Sequence, residues 1–278
     1  MDPIRIFVGC AANNEDLESQ AVLEYTLRKF VSKPLEIEWM QQSNDPTSFW
    51  SGWNTNGWVT PFSGFRWGIP ARCNFEGKAI YMDSDMIVRD DIAKLWDMPM
   101  NPGAACISKG HGKRFCVTLF DNAKIKPFML PIQEIKTKMG VYRIQRDRIS
   151  QQKGLVQSFP KGQNWNCCDG ETYKDLGHSD IKCIHYTAID TQPQLRYAIP
   201  RLASAGVKHW YKGKPRAHSR KDLLALFDKL LTEAKAAGYP PERYIVQGIG
   251  GYKAGSDGGG WIKPGKAQEA ARHGGVAR

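Results

Sequence analysis

The chain has 278 residues, 41% of them hydrophobic and 11% aromatic, which is enough apolar material for a sizeable core in one or two domains and excludes a wholly disordered chain. No window comes near the roughly 18 uninterrupted apolar residues of a membrane span. The net charge is +11, unevenly placed: residues 1–200 carry +2 and residues 201–278 carry +9.

Met1-Asp2-Pro3-Ile4-Arg5 carries an acid and leads straight into a strand-like stretch, unlike a secretory signal. Seven cysteines with no Cys-x-x-Cys spacing argue against a disulfide scaffold or a zinc ribbon. The expectation is a soluble, reduced, cytoplasmic protein. Its basic C-terminal portion fits contact with an anionic membrane surface, a nucleic acid or a phosphorylated acceptor, and equally a solvated face with a soluble tail.

Ile4-Arg5-Ile6-Phe7-Val8-Gly9 reads as a buried first strand. Asn13 to Asp16 supply cap-type residues before a helical period, with Leu17, Ala21, Leu23, Tyr25, Leu27 and Phe30 on its apolar side. Pro34 stops it, and Leu35-Glu36-Ile37-Glu38-Trp39 alternates like a second strand. Strand, helix, strand makes a βαβ opening, so the sheet is expected to be parallel. Residues 49–67 hold Trp50, Trp53, Trp58 and Trp67 among Gly52, Gly57 and Gly64. Such a loop suits a flap stacking on a base or sugar, or a satellite core beneath a long loop. Residues 78–82 form a short apolar strand that runs into Asp83-Ser84-Asp85, with Met86-Ile87-Val88 following. A helix is expected over residues 92–96, strands over 116–120 and 181–186, and an amphipathic helix over 220–237. Residues 122–165 show no assignable pattern. From Gly250 onward the chain is rich in Gly, Lys and Ala and reads as a flexible tail, residues 250–278, behind a single domain over 1–249 whose last part, about 200–249, is helical.

Asp83 and Asp85 carry the sharpest chemistry. Residues i and i+2 of an extended chain point the same way, and these stand where a parallel strand ends, the usual ligand crevice of an open α/β sheet. Two close carboxylates repel, and a divalent cation relieves the repulsion while offering positions to phosphate oxygens. His185 ends another apolar strand, and imidazole beside carboxylates suits Mn²⁺ better than Mg²⁺. Thr187, Thr191 and Gln192 place further polar groups in the loop after it.

These segments resemble the GT-A glycosyltransferases, and most closely the retaining family 8 enzymes, the group of glycogenin and the bacterial α-galactosyltransferases. Asp83-Ser84-Asp85 resembles their metal motif. Phe65-Arg66-Trp67-Gly68-Ile69-Pro70 resembles the segment upstream of it, Ile92-Ala93-Lys94-Leu95-Trp96 the helix after it, and Ile184-His185-Tyr186-Thr187 the C-terminal histidine motif. The resemblance implies a Rossmann-like α/β fold with a mostly parallel sheet flanked by helices. It also implies a UDP-hexose donor, with its diphosphate on Mn²⁺ or Mg²⁺ held by Asp83, Asp85 and His185. Val8, Gly9 and Cys10 would line the nucleotide pocket, Ser84 would stand within the donor motif, and Arg66 would contact the donor. The acceptor would be a glycan, a lipid-linked saccharide or a small glycoside, reached in the cytoplasm or at the inner membrane surface.

The sequence departs from the family at two places. Gln192-Pro193-Gln194 stands where the family has Lys-Pro-Trp, so the diphosphate-binding lysine is replaced by neutral Thr191 or Gln192. The family's Asp-Gln-Asp segment has no counterpart in residues 122–165. Asp169 and Asp121 are the nearest acids, with Asp169 the preferred candidate to face the sugar and a loop-capping role the alternative. Other readings are a UDP-sugar binder with little transfer activity and a basic nucleic-acid-binding protein, which leaves Asp83, Asp85 and His185 unexplained. A sugar-nucleotide pyrophosphorylase is the weakest, because residues 9–14 lack a Gly-rich basic loop.

Overall fold

The structure, a computed structural model, describes residues 2–109 and 115–246; the tail expected over residues 250–278 lies outside them. In chain order the strands are β1 (Ile4–Gly9), β2 (Leu35–Met40), β3 (Lys78–Asp83), β4 (Met86–Val88), β5 (Cys106–Ser108), β6 (Val117–Asp121), β7 (Val156–Ser158), β8 (Cys167–Cys168) and β9 (Cys183–His185). The helices are α1 (Leu17–Phe30), α2 (Ile69–Arg72), α3 (Ala93–Trp96), α4 (Asn122–Ile125), α5 (Ile132–Thr137), α6 (Val141–Gln151), α7 (Leu195–Ser204) and α8 (Lys221–Ala236).

Six strands form the central sheet in the order β2-β1-β3-β6-β5-β7. Strands β2, β1 and β3 run parallel, as the βαβ opening predicts, and β5 and β7 pair parallel with each other. Strand β6 is antiparallel to both β3 and β5, so the sheet is mainly rather than wholly parallel. Side chains of a strand alternate between faces, and each face has its own core. Ile4, Ile6, Val8, Ile80, Met82 and Leu119 pack on one side, while Phe7, Ala79, Tyr81 and Phe120 pack on the other with the tryptophan-rich segment.

That segment is interior. Trp50, Trp53, Trp58 and Trp67 are all buried, and Trp53 sits among the rings of Trp50, Trp58 and Phe65 with centroids 5.9, 6.1 and 5.2 Å away. The satellite-core reading holds and the flap does not. In α1 the cap position falls to Asp16, but its carboxylate makes no cap bond. It accepts instead from the amide of Ala11 at 2.7 Å and the hydroxyl of Ser84 at 3.1 Å, tying the helix start to the end of β3. Phe30, expected on the apolar side, is the last residue of α1 and is 40% exposed. Leu17, Ala21 and Val22 of α1 pack with Leu223, Phe227, Leu230 and Leu231 of α8, the amphipathic face the sequence predicts. Residues 122–165, unassigned from sequence, hold α4, α5, α6 and β7. Among the described residues no helix is long and apolar enough to cross a membrane.

Candidate active site

The site forms where the two sheets meet. Strand β3 ends at Asp83, and the amide of Ser84 donates to the carbonyl of Gly9 at 3.1 Å, so the chain turns level with the end of β1. After Asp85 the chain enters β4, which pairs antiparallel with β9 in a three-stranded sheet of order β4-β9-β8. The register places Met86 opposite His185, and the amide of Tyr186 donates to the carbonyl of Asp85 at 3.0 Å. Two local strand ends, 100 residues apart in the chain, are thereby held side by side.

The consequence is a compact triad of potential ligand atoms. Nε2 of His185 lies 3.2 Å from Oδ1 of Asp85 and 3.5 Å from Oδ2 of Asp83. Donor atoms bound to one ion at the ~2.1 Å typical of small divalent cations stand about 3 Å apart, which these separations match. Oδ1 of Asp85 is buried without a hydrogen bond from any described residue, and Nδ1 of His185 faces Oδ1 of Asn166 at 3.0 Å, which orients the ring with Nε2 toward the carboxylates. The residues therefore fit a divalent cation. The thiol of Cys116, preceding β6, belongs to the same place: Asp83, Cys116 and His185 each offer an atom within 4.8 Å of the others.

The electrostatics follow from burial. Asp83, Asp85 and His185 are 5%, 8% and 4% exposed. Burial pushes the Asp85 carboxyl up, His185 opposing and Asp83 adding to the rise. Burial disfavours the His185 imidazolium, yet the Asp85 carboxylate and Cys116 outweigh it and hold its pKa well above the ordinary value. In the free protein a proton on His185 thus shares the charge of the two carboxylates, and a cation bound there would displace it. Arg66, in a short 3₁₀ turn at the end of the tryptophan segment, donates from Nη2 to Oδ1 of Asp83 at 3.0 Å and lies over the Tyr81 ring at 4.3 Å. The Tyr81 hydroxyl donates to the same oxygen of Asp83.

These groups open onto a cleft of ≈ 280 Å³ that Asp83, Asp85, His185, Arg66, Thr187 and Gln192 line. Gln192 donates to Asp85. Past Thr187 and Ile189 it borders a second cavity of ≈ 360 Å³ walled by Asp190, Tyr211 and Arg216. Sequence reasoning missed three groups of the cleft wall: Cys116, and Arg143 and Arg146 of α6. Their i, i+3 spacing on one helix face was the available signal.

Several expected site residues stand elsewhere. Val8, Gly9 and Cys10 are buried. A Cβ on Gly9 would stand 2.9 Å from both Phe62 and the Tyr81 hydroxyl, so side chains pack against Gly9 on that face of the sheet, and none of Val8, Gly9 and Cys10 lines the Asp83 cleft. Ser84 is 1% exposed and turned to Asp16. Thr191 closes its own turn on the carbonyl of Ala188 at 3.0 Å. Asp121 pairs with Lys78, the first residue of β3, because β6 is antiparallel. It therefore sits at the opposite end of the strand from Asp83, roughly 16 Å away, where it caps α4 by accepting from the amide of Lys124 at 3.0 Å. Asp169, at φ 49°, accepts from the amide of Thr187 at 3.0 Å and from its hydroxyl, with Nε2 of His218 3.4 Å away. It clamps the loop after β9 from behind rather than facing the cleft, the loop-capping alternative.

No family model matches the chain, and no curated protein matches it. Among solved structures it is similar to the glycosyltransferase GlyE of Streptococcus pneumoniae TIGR4, at 14% identity and TM-score 0.50 over 86% of this chain and 64% of that one. An active-site mutant of the galactosyltransferase LgtC aligns at 12% identity and TM-score 0.50, covering 83% of this chain and 96% of that one. The apo bifunctional glycosyltransferase WbbM aligns at 12% identity and TM-score 0.49, over 84% of this chain and 51% of that one. The chain thus spans between half and two thirds of the length of WbbM and GlyE. The fold is the mixed α/β GT-A fold of glycosyltransferases.

Proposed function

We propose that this chain is a nucleotide-sugar-dependent glycosyltransferase of the retaining family 8 type that moves a hexose from a UDP-sugar to a saccharide or lipid-linked acceptor. The observation that carries the reading is the convergence of Asp83, Asp85 and His185 at the carboxyl end of a parallel strand, on a cleft, in a GT-A fold. Those three residues would hold the divalent cation, Mn²⁺ before Mg²⁺ given the mixed nitrogen and oxygen set. When bound, the cation supplies positive charge where the departing diphosphate gathers negative charge.

The chain's own residues do the rest. Arg66 is buried beside Asp83, where its guanidinium can exchange one carboxylate contact for a phosphate oxygen. Arg143 and Arg146 bring two further cations to the cleft wall, the charge that the missing family lysine would supply. Gln192 and Thr187 offer neutral hydrogen bonds, and Trp67 and Phe115 on the wall reduce access of water, which strengthens the charge interactions. The +9 charge of residues 201–278 favours an acceptor on an anionic surface.

A second reading, a UDP-sugar binder with little transfer, is favoured by one observation: Asp83 and Asp85 are the only carboxylates among the described residues lining the cleft, since Asp169 is engaged behind it. One experiment separates the two. UDP release is measured from a panel of UDP-sugars with Mn²⁺ and no acceptor, beside Asp85→Ala. Slow release from one donor, abolished by chelator and by the substitution, supports the transferase; metal-dependent UDP binding with no release supports the binder.

A further inference from the structure

A second cleft, of ≈ 650 Å³, lies between α1, β2, residues 41–45 and residues 243–246, away from the Asp83 cleft. Its walls carry three glutamines, Gln20, Gln41 and Gln42, which are 1%, 8% and 6% exposed. The side-chain oxygen of each is buried without a hydrogen-bond partner among the described residues. Gln42 donates its amide to the carbonyl of Trp53 at 2.9 Å, which fixes its oxygen as the free end. Orphaned buried acceptors are uncommon in folded proteins and call for a partner.

The rest of the lining says what kind of partner. Glu24 is paired with Arg28 at 2.6 Å. Asp45 accepts from the amide and hydroxyl of Thr47 at 2.9 and 2.7 Å. Arg243 lies over the Tyr239 ring at 5.2 Å and donates to the carbonyl of Gly238. The charges cancel and are engaged within the chain, which leaves uncharged polar groups on offer: the glutamine amides and the hydroxyl of Tyr244, itself buried without a partner among the described residues. A phosphate or carboxylate ligand would bring lone pairs to the three orphaned oxygens, whereas a hydroxyl can donate to them and accept from Tyr244. A ligand rich in hydroxyl donors fits, and half-buried Trp39 on the same wall offers a ring for an apolar face. A sugar has both, hydroxyls at its rim and C–H groups on its face.

We propose that this cleft is a binding site for a neutral oligosaccharide, held by Gln20, Gln41 and Gln42 with one sugar face against Trp39. Gly9 is in register with both Met40 and Asp83, so Gln41 leaves β2 level with Asp83 and two strand spacings, about 10 Å, to the side. The binding itself does not rest on the transferase reading.

The test is saturation-transfer NMR on the full chain with maltotriose, lactose and mannotriose, without donor or metal. Each sugar is present at about 10 mM, above a millimolar Kd. The expected result is transfer to at least one sugar, weakened about tenfold by Gln41→Leu or Gln20→Leu and retained by Asp85→Ala. Neither glutamine side-chain oxygen bonds to any of the described residues, so both leucine variants should keep or raise the urea midpoint, which separates a ligand role from a structural one. No transfer to any of the sugars, or transfer unchanged in the Gln20→Leu/Gln41→Leu double variant, overturns the proposal. So does loss of transfer in Asp85→Ala, which would assign the sugar to the Asp83 cleft and leave the transferase reading standing. Sugar binding without UDP release would sink the transferase reading alone.

Discussion

Trp53 offers a direct test of whether the tryptophan segment is core or flap. Its side chain is 3% exposed, and its indole NH donates to the carbonyl of Phe49 at 3.1 Å. Its ring presses so closely on Gly68 that a Cβ there would stand 2.7 Å from it. An aromatic side chain of this size buries about 200 Å², worth roughly 5 kcal/mol at about 25 cal/mol per Å². Truncations of buried Trp or Phe to alanine cost about 3–5 kcal/mol. Trp53→Ala should therefore lose about 4 kcal/mol, a large share of a typical stability of about 5–15 kcal/mol. Trp53→Phe, which keeps a ring against Phe65, should lose about 1–2 kcal/mol. Urea unfolding followed by far-UV circular dichroism reads this out: with a slope near 3 kcal/mol/M, the midpoint of Trp53→Ala falls by roughly 1 M or more. An unchanged midpoint together with weakened UDP-sugar binding would refute the argument and restore the flap.

Two further outcomes follow from the placement of side chains. Asp121→Ala removes a helix cap at the far end of β3, so it should cost about 1 kcal/mol and leave UDP release unchanged; a large loss of release at unchanged stability would put Asp121 back at the site. The imidazole of His209 is pushed down to about 4, first by burial and then by Arg201, from an ordinary 6.5. Between those values the unfolded chain binds a proton that the folded chain does not. The contribution of this imidazole to stability is therefore full above pH 6.5 and is lost toward pH 4, by up to about 3 kcal/mol. His209→Gln should flatten that part of a pH series of urea midpoints, and an equally steep series in the variant would refute it.

The fold and the convergence of Asp83, Asp85 and His185 were legible for a local reason. An apolar strand running into Asp83-Ser84-Asp85, and another ending at His185, mark strand ends in short windows, and the βαβ opening fixes the parallel start of the sheet. What the windows do not carry is direction and coverage. Nothing local to residues 116–121 says that β6 runs antiparallel, yet that alone moves Asp121 to the far end. Gly9 looks like an open strand end until Phe62, more than fifty residues later, packs against it. Asp169 carries the right chemistry, but a left-handed backbone and two bonds to Thr187 turn it into a clamp. Arg143 and Arg146 lay in a stretch whose mixture of basic and apolar residues concealed a helix, because propensity is weak where tertiary packing decides. Cys116 gave no signal by itself; only the fold brings it to Asp83 and His185.

The central claim is that Asp83, Asp85 and His185 hold a divalent cation that receives a nucleoside diphosphate. Thermal unfolding with UDP, Mn²⁺ or both measures it, since a ligand at 100 times its Kd stabilises the folded state by about 2.7 kcal/mol. The wild-type protein should gain several degrees in Tm with both together and little with UDP alone, and the gain should vanish in Asp85→Ala and His185→Ala. A gain of equal size in those variants, or with UDP in the presence of chelator, would contradict the account.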